Sequence, residues 1–301
     1  MQIATRKSPL ALWQTEHVAD QLRAVHPELA VSLLPLSTRG DEVLDRSLSE
    51  IGGKGLFLKE LEKALLDGRA DIAVHSLKDV PAVSPPGLKL SVVLPRASWA
   101  DLWIDRDGRS PADMPAGSRV GTSSLRRQSQ LLRNYPQLEV VPIRGSVQTR
   151  LGLITSGHVD AVVLAQAGID RLELPLAHRL ALGPPDFIPA PGQGVIVVQC
   201  RDDDPETEAL LTPLQCPVTL ACSEAERGVV AALGGDCRMP LAALGEIVNG
   251  RLKLQARLAS PDGQDCLDVT LEGAVDSARF LGEKAGAQLM DQGAMRILSQ
   301  L

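Results

Sequence analysis

The segment Val74-His75-Ser76-Leu77-Lys78-Asp79-Val80-Pro81 sets an imidazole, a hydroxyl, an ammonium and a carboxylate directly behind an apolar run, Ala70–Val74. Pro81 then blocks helical continuation. In an open α/β sheet, ligands sit outside the carboxyl ends of the strands, so Asp79 is placed to hold or move a proton on a bound molecule. A strand-end Lys-Asp pair also occurs as a solvated salt bridge, and this segment alone leaves both readings open.

Arginine recurs at the same kind of position. Arg6 follows the first apolar run, and Arg39 lies in Thr38-Arg39-Gly40-Asp41. Arg126 and Arg127 follow Gly121-Thr122-Ser123-Ser124, Arg144 follows Ile143 with Arg150 beyond it, and Arg171 closes the next helical stretch. Arg126 and Arg127 fall in the first turn of an expected helix, where the macrodipole disfavours a cation by about 0.3–1 kcal/mol. The backbone N–H groups at that end attract anions, with Thr122, Ser123 and Ser124 as further donors. Arginine's planar fork suits bidentate carboxylate binding. Any one charged helix start also occurs as a solvated face. Seven arginines repeating at strand ends point instead to a small ligand bearing many carboxylates.

Gly52-Gly53-Lys54-Gly55 lacks the Gly-x-x-x-x-Gly-Lys-Ser/Thr spacing of a phosphate loop and reads as a flexible cationic lid segment. No Gly-x-Gly-x-x-Gly fingerprint supports a dinucleotide site. Cys237 lies between Gly234-Gly235 and Pro240, where a thiol is accessible, although free cysteine also serves as a small core hydrophobe.

Composition narrows the class. The chain has 301 residues, 44% hydrophobic and 23% charged, ordinary for a globular protein of two or three domains. Aromatics are 2% and the net charge is −6, which argues against base stacking and polyanion binding, so no nucleic-acid partner is expected. Neither a signal peptide nor a membrane span is expected. The five cysteines include no Cys-x-x-Cys pair and read as free thiols of a reducing cytoplasm, and the five scattered histidines lack ligand spacing, so no metal is expected.

The elements that position these groups alternate as in parallel α/β units. Gln2–Thr5 reads as a strand, with Ser8 as N-cap and Pro9 opening a helix whose stripe is Ala11, Thr15, Val18, Leu22 and Val25. Ala30–Leu36 and Asp71–Val74 read as further strands, with a helix at Leu56–Leu66 between them. The pattern breaks around Leu94–Asp101. A second set follows: strands at Arg119–Gly121, Leu138–Ile143 and Ala161–Leu164, each before a helix, at 125–134, 147–156 and 165–172. A strand at Val195–Gln199 is expected to return to the first lobe. Beyond residue 217 come a helix at Thr219–Leu233 and strands at Leu241–Val248, Arg251–Ala259 and Cys266–Leu271, joined by Asn249-Gly250 and Asp262-Gly263 as a meander. Asp276 is expected to cap a last helix reaching about residue 291. The domains expected are residues 1–94 with 195–212, residues 100–188, and residues 217–301.

Taken together, these segments resemble the porphobilinogen deaminases, the hydroxymethylbilane synthases. The resemblance runs from Ile3 to about Leu301, through Ile3–Gln14, Thr38–Asp41, Gly52–Phe57, Val74–Pro81, Gly121–Arg127 and Gly234–Pro240. It implies an α/β fold of two periplasmic-binding-protein-like lobes joined by two hinge segments, plus a small α+β C-terminal domain with a three-stranded antiparallel sheet. It also implies a cytoplasmic transferase of tetrapyrrole (porphyrin and heme) biosynthesis. Four porphobilinogen molecules are joined head to tail with loss of ammonia, and water then frees hydroxymethylbilane.

By the same resemblance, Cys237 carries a dipyrromethane cofactor through a thioether, and Asp79 is catalytic. Lys78, Ser76, Thr122, Ser123, Ser124, Arg126, Arg127, Arg144 and Gly145 bind the cofactor. Arg6, Ser8, Gln14, Arg144, Arg150, Arg171 and Gln193 bind substrate, and Arg39, Asp41, Lys54 and Phe57 belong to a mobile loop over the site. A monomer that hands its product to the next pathway enzyme is implied. The sequence departs from the family pattern at Ala100, Ser146, Val195, Gln199 and Asp236, which bears on affinity and hinge detail. The competing reading is a non-catalytic two-lobe binding protein for a small polycarboxylate.

Overall fold

The computed structural model describes residues 1–38, 58–235 and 239–301. They form two compact units, Met1–Ala97 with Val195–Leu220, and Ser98–Gly194 with Ala221–Leu301.

In the first unit, β1 (Gln2–Arg6) leads into α1 (Pro9–Val25). Ser8 caps this helix, accepting from the Ala11 N–H, and Pro9 supplies a pre-set φ at its first turn. Gln14, Thr15, Val18, Ala19 and Leu22 form its buried face, whereas Val25, expected in the stripe, is exposed at the helix end. The chain continues through β2 (Ser32–Leu36), α2 (Lys59–Leu66), β3 (Ile72–Ser76), a 3-10 turn at Leu77–Asp79 and β4 (Leu88–Val93).

The second unit begins with β5 (Asp101–Asp105) and runs through β6 (Arg119–Gly121), α3 (Leu125–Asn134), β7 (Glu139–Val141), α4 (Val147–Thr155), β8 (Ala161–Ala165), α5 (Gln166–Arg171) and β9 (Leu180–Leu182). The chain then returns to the first unit as β10 (Ile196–Arg201) and α6 (Pro205–Leu211). Helix α7 (Pro217–Ala232) leads to β11 (Leu241–Val248), β12 (Arg251–Ala259), β13 (Cys266–Gly273), α8 (Ala278–Asp291) and α9 (Ala294–Leu298). Ser277, rather than the expected Asp276, is the N-cap residue of α8, because a 3-10 turn at Val275–Ser277 takes up Asp276.

Each lobe has a five-stranded mixed sheet of one design: β2-β1-β3-β10-β4 in the first and β7-β6-β8-β5-β9 in the second. The strand that arrives from the other unit is antiparallel in each case, β10 against β3 and β4, and β5 against β8 and β9. The remaining pairs, β1 with β2 and β3, and β6 with β7 and β8, are parallel, so their carboxyl ends gather on one edge. Strands β4, β5 and β9 and helices α6 and α9 were not anticipated by the sequence pattern. All five residues of β5 are buried, so it lacks the alternation that marks a half-exposed strand.

The three-stranded meander β11-β12-β13 packs α7, α8 and α9 around its own core, including Val229, Leu254, Leu258, Leu281 and Leu289. Its first turn, Asn249-Gly250, has φ of 51° and 75°, the positive pair a tight hairpin turn needs.

Candidate active site

The catalytic candidates of the first unit collect where its parallel strands end. β3 is buried through His75, then Ser76 and Lys78 are half-exposed and Asp79 is exposed in the 3-10 turn. Leu77 and Val80 pin that turn into the core, the Leu77 N–H donating to the Val195 carbonyl at 3.0 Å. The backbone is thereby anchored while the carboxylate faces outward. Ser76 and Gln14 hydrogen-bond to each other across β3 and α1, Gln14 Nε2 donating to Ser76 Oγ at 2.9 Å. Arg6 ends the neighbouring strand, and Ser8 caps α1.

A polar chain runs from the buried His75 through Gln199 to the half-buried Glu62, and no sequence pattern marks it. Gln199 Nε2 donates to Glu62 Oε1 at 3.4 Å, leaving its Oε1 to accept from His75 Nε2 at 3.0 Å. Because the amide can only accept at that atom, His75 carries its proton on Nε2 when neutral. Burial pushes the imidazole down to about 4, the Gln199 hydrogen bond opposing this and Arg6 reinforcing it. Burial raises the Glu62 carboxyl, against the Gln199 hydrogen bond and Lys59.

In the second unit, Thr122, Ser123 and Ser124 form the loop between β6 and α3. Ser124 is the N-cap, accepting from the Arg127 N–H, and Thr122 Oγ1 accepts from the Ser124 N–H. Ser123 Oγ donates to the Ile143 carbonyl and accepts from the Ile143 N–H, which ties this loop to the segment carrying Arg144. At the start of α4, Arg150 Nε reaches back to the Gly145 carbonyl at 3.0 Å. Gly145 has φ of 101°, and a Cβ there would lie 2.7 Å from the Thr149 methyl, so only glycine fits. Arg171 donates to the Gly194 carbonyl at 2.8 Å, and burial pushes its guanidinium down to about 10, still charged at neutral pH.

Arg126 and Arg127 differ from the expected open helix start. Both are buried, at 4% and 7% exposure, and both pair with Asp101 at the head of β5, at 2.8 and 2.7 Å. Burial lowers the Arg126 guanidinium and Arg127 adds to that, while Asp101 opposes it. Gln193 Nε2 donates to the Asp101 carboxylate as well. No role for Asp101 was read from the sequence; a lone carboxylate opening the apolar run Leu102-Trp103-Ile104 was the available signal. Glu226 was also missed. Buried in α7, it accepts from the Gly192 N–H at 2.6 Å and the Gly245 N–H at 2.8 Å.

The structure thus brings Arg6, Ser8, Gln14, Ser76, Lys78 and Asp79 into one unit, and Thr122, Ser123, Ser124, Arg126, Arg127, Arg144, Gly145, Arg150, Arg171 and Gln193 into the other. Arg39, Asp41, Lys54, Phe57 and Cys237 lie outside the described residues. Among the described residues, no group of three or more His, Cys, Asp or Glu side chains could hold a metal ion, and no helix is long and apolar enough to cross a membrane.

Two family models match the chain. The porphobilinogen deaminase, dipyromethane cofactor binding domain matches residues 1–209, and the porphobilinogen deaminase, C-terminal domain matches residues 220–291. The porphobilinogen deaminase of Bordetella parapertussis is 50% identical over 299 residues, covering 99% of this chain and 95% of that protein. That of Xanthomonas axonopodis pv. citri is 48% identical over 301 residues, covering 100% and 99%. Among solved structures, the VFT2 domain of Bordetella pertussis BvgS aligns with a TM-score of 0.43 at 20% identity, covering 70% of this chain and 84% of that one.

Proposed function

The chain belongs to the porphobilinogen deaminase family, and we propose on that footing which of its residues do which part of the work. The reaction is that of hydroxymethylbilane synthase: four porphobilinogen molecules condense head to tail, each losing ammonia, and one water releases hydroxymethylbilane. The alternative of a binding protein without chemistry is not favoured, because the two family models together span most of the chain, C-terminal domain included.

The donor set suits the family's dipyrromethane cofactor. Each pyrrole ring bears an acetate and a propionate, and the proposed side-chain ligands are guanidinium, ammonium and hydroxyl groups, which bind carboxylates. Lys78, Ser76, Thr122, Ser123, Ser124, Arg126, Arg127, Arg144 and Gly145 would hold it, with Cys237 as the thioether anchor. When bound, the cofactor supplies a nucleophilic pyrrole carbon as the primer. The antiparallel C-terminal sheet is proposed as a domain of its own bearing that cysteine, because its core closes on its own residues.

The observation that carries the mechanism is the exposed Asp79 on an anchored 3-10 turn. Loss of ammonia from porphobilinogen leaves an electrophilic azafulvene. The Asp79 carboxylate accepts hydrogen bonds from pyrrole N–H groups and stabilises the cation as it develops. It also assists proton transfer to the leaving amine. Arg6, Arg144, Arg150 and Arg171 bind the acetates and propionates of substrate and growing chain, with Ser8, Gln14 and Gln193 supplying neutral contacts. Arg39, Asp41, Lys54 and Phe57 are proposed to cover the reacting rings and exclude water. A cytoplasmic monomer that binds no nucleic acid and passes its product directly to the next enzyme completes the reading.

Intact mass of the purified protein beside Cys237→Ser tests it. A surplus of two linked pyrrole units on the parent alone, mapped to Cys237, is the expected result. A parent at its bare sequence mass that gains nothing from porphobilinogen overturns the cofactor assignment.

A further inference from the structure

Asp101 Oδ1 accepts from Arg127 Nε at 2.9 Å, Arg127 Nη2 at 2.7 Å and Gln193 Nε2 at 3.1 Å, and Oδ2 accepts from Arg126 Nη1 at 2.8 Å. Its side chain is 0% exposed. Two backbone carbonyls complete the frame, Ile188 for Arg126 Nη1 and Val163 for Arg127 Nη1. Gln130 holds the first of these in place, donating to the Ile188 carbonyl and accepting from the Ile188 N–H. Two guanidinium charges against one carboxylate leave a net +1 on the cluster. One donor in it, Arg126 Nε, is buried without a hydrogen-bond partner.

The cluster is fastened to two of the three places where the chain crosses between units. Asp101 opens the first strand after the crossing at Ala97–Ser98, and Gln193 immediately precedes Gly194, where the chain crosses back. Gln193 Nε2 also donates to the Trp99 and Ala100 carbonyls, so one amide joins the two crossing segments and Asp101. Burying three charges for stability alone is a poor bargain, since apolar replacements of such triads are often neutral or stabilising. A frame that holds two forks at a set angle toward a polycarboxylate ligand has a use for them.

We infer that Asp101 is a positioning residue for the reaction, aiming the Arg126 and Arg127 guanidinium groups at the carboxylates of the dipyrromethane cofactor, with Gln193 locking its orientation. This rests on the reading of Arg126 and Arg127 as cofactor ligands. A plain counter-ion role makes the opposite prediction. Removing the carboxylate raises the cluster from +1 to +2 and would draw an anionic ligand more strongly, whereas loss of aim weakens capture.

The test uses full-length, cofactor-free wild type, Asp101→Asn, Gln193→Leu and Arg127→Ala, loaded with porphobilinogen and followed by intact mass. Thermal melts run alongside. Asp101→Asn and Arg127→Ala are expected to acquire the two-pyrrole adduct at least tenfold more slowly than wild type, and Gln193→Leu at least threefold. Gln193→Leu keeps all three charges, so it decides the matter if Asp101→Asn fails to fold. Loading of Asp101→Asn or Gln193→Leu at or above the wild-type rate, with Arg127→Ala slow, overturns the role of Asp101 and leaves the arginine assignment standing. Wild-type loading by Arg127→Ala removes the assignment on which the inference depends.

Discussion

Acidification from pH 7 to pH 5 should weaken the first unit through His75. The imidazole is buried, holds its proton on Nε2 against Gln199, and is pushed down from 6.5 to about 4. Between those values the unfolded chain binds a proton that the folded chain does not. The lowered value therefore contributes stability that is complete above about pH 6.5 and is lost as pH falls toward 4. Each pH unit within that window costs about 1.4 kcal/mol, so on the order of 2 kcal/mol goes between pH 7 and pH 5. Urea unfolding of wild type and His75→Gln at the two pH values isolates this contribution, because the other histidines cancel in the comparison. The wild type should lose about 2 kcal/mol more than the variant. Titration of the His75 ring protons by NMR gives the same quantity directly. Equal losses in the two proteins, or a ring midpoint between 6 and 7, would refute the reasoning.

Asp79→Ala should lower kcat by at least about 10²-fold, the scale of a proton-transfer and charge-stabilising group, while the purified protein still carries the two-pyrrole mass. Unchanged turnover would remove Asp79 from the mechanism. Glu226→Ala strands the buried Gly192 and Gly245 N–H groups and should cost about 2–5 kcal/mol, measured by chemical denaturation. Glu226→Gln retains an acceptor and should cost less than half of that. At Gly282 in α8, a Cβ would sit 2.0 Å from the Ala225 carbonyl oxygen of α7. Gly282→Ala must push the helices apart and should destabilise by at least about 1–3 kcal/mol, so a melting temperature within 1 °C of wild type would contradict this packing.

How much of this was legible beforehand depends on the distance over which each signal acts. Ser8-Pro9 announced the start of α1 and Asn249-Gly250 the hairpin between β11 and β12, because caps and tight turns are settled by a few neighbouring residues. The strand-end placement of Asp79 and Arg144 was readable for the same reason: an apolar run that stops abruptly marks its own end. The short strands β5 and β9 escaped notice. β9 has three residues and exists through its pairing with β5, which is a property of the sheet.

Residue types and local elements, and with them the chemistry available, were determined by the sequence itself. Only the tertiary structure decided which charges are already answered. Asp101 meets Arg126 and Arg127 across 25 and 26 residues, Gln199 meets His75 across 124, and Glu226 meets Gly192 across 34. No local preference encodes such partners. They come together because burying the sheets leaves polar groups out of reach of water, and each must then find its counterpart wherever the fold has carried it.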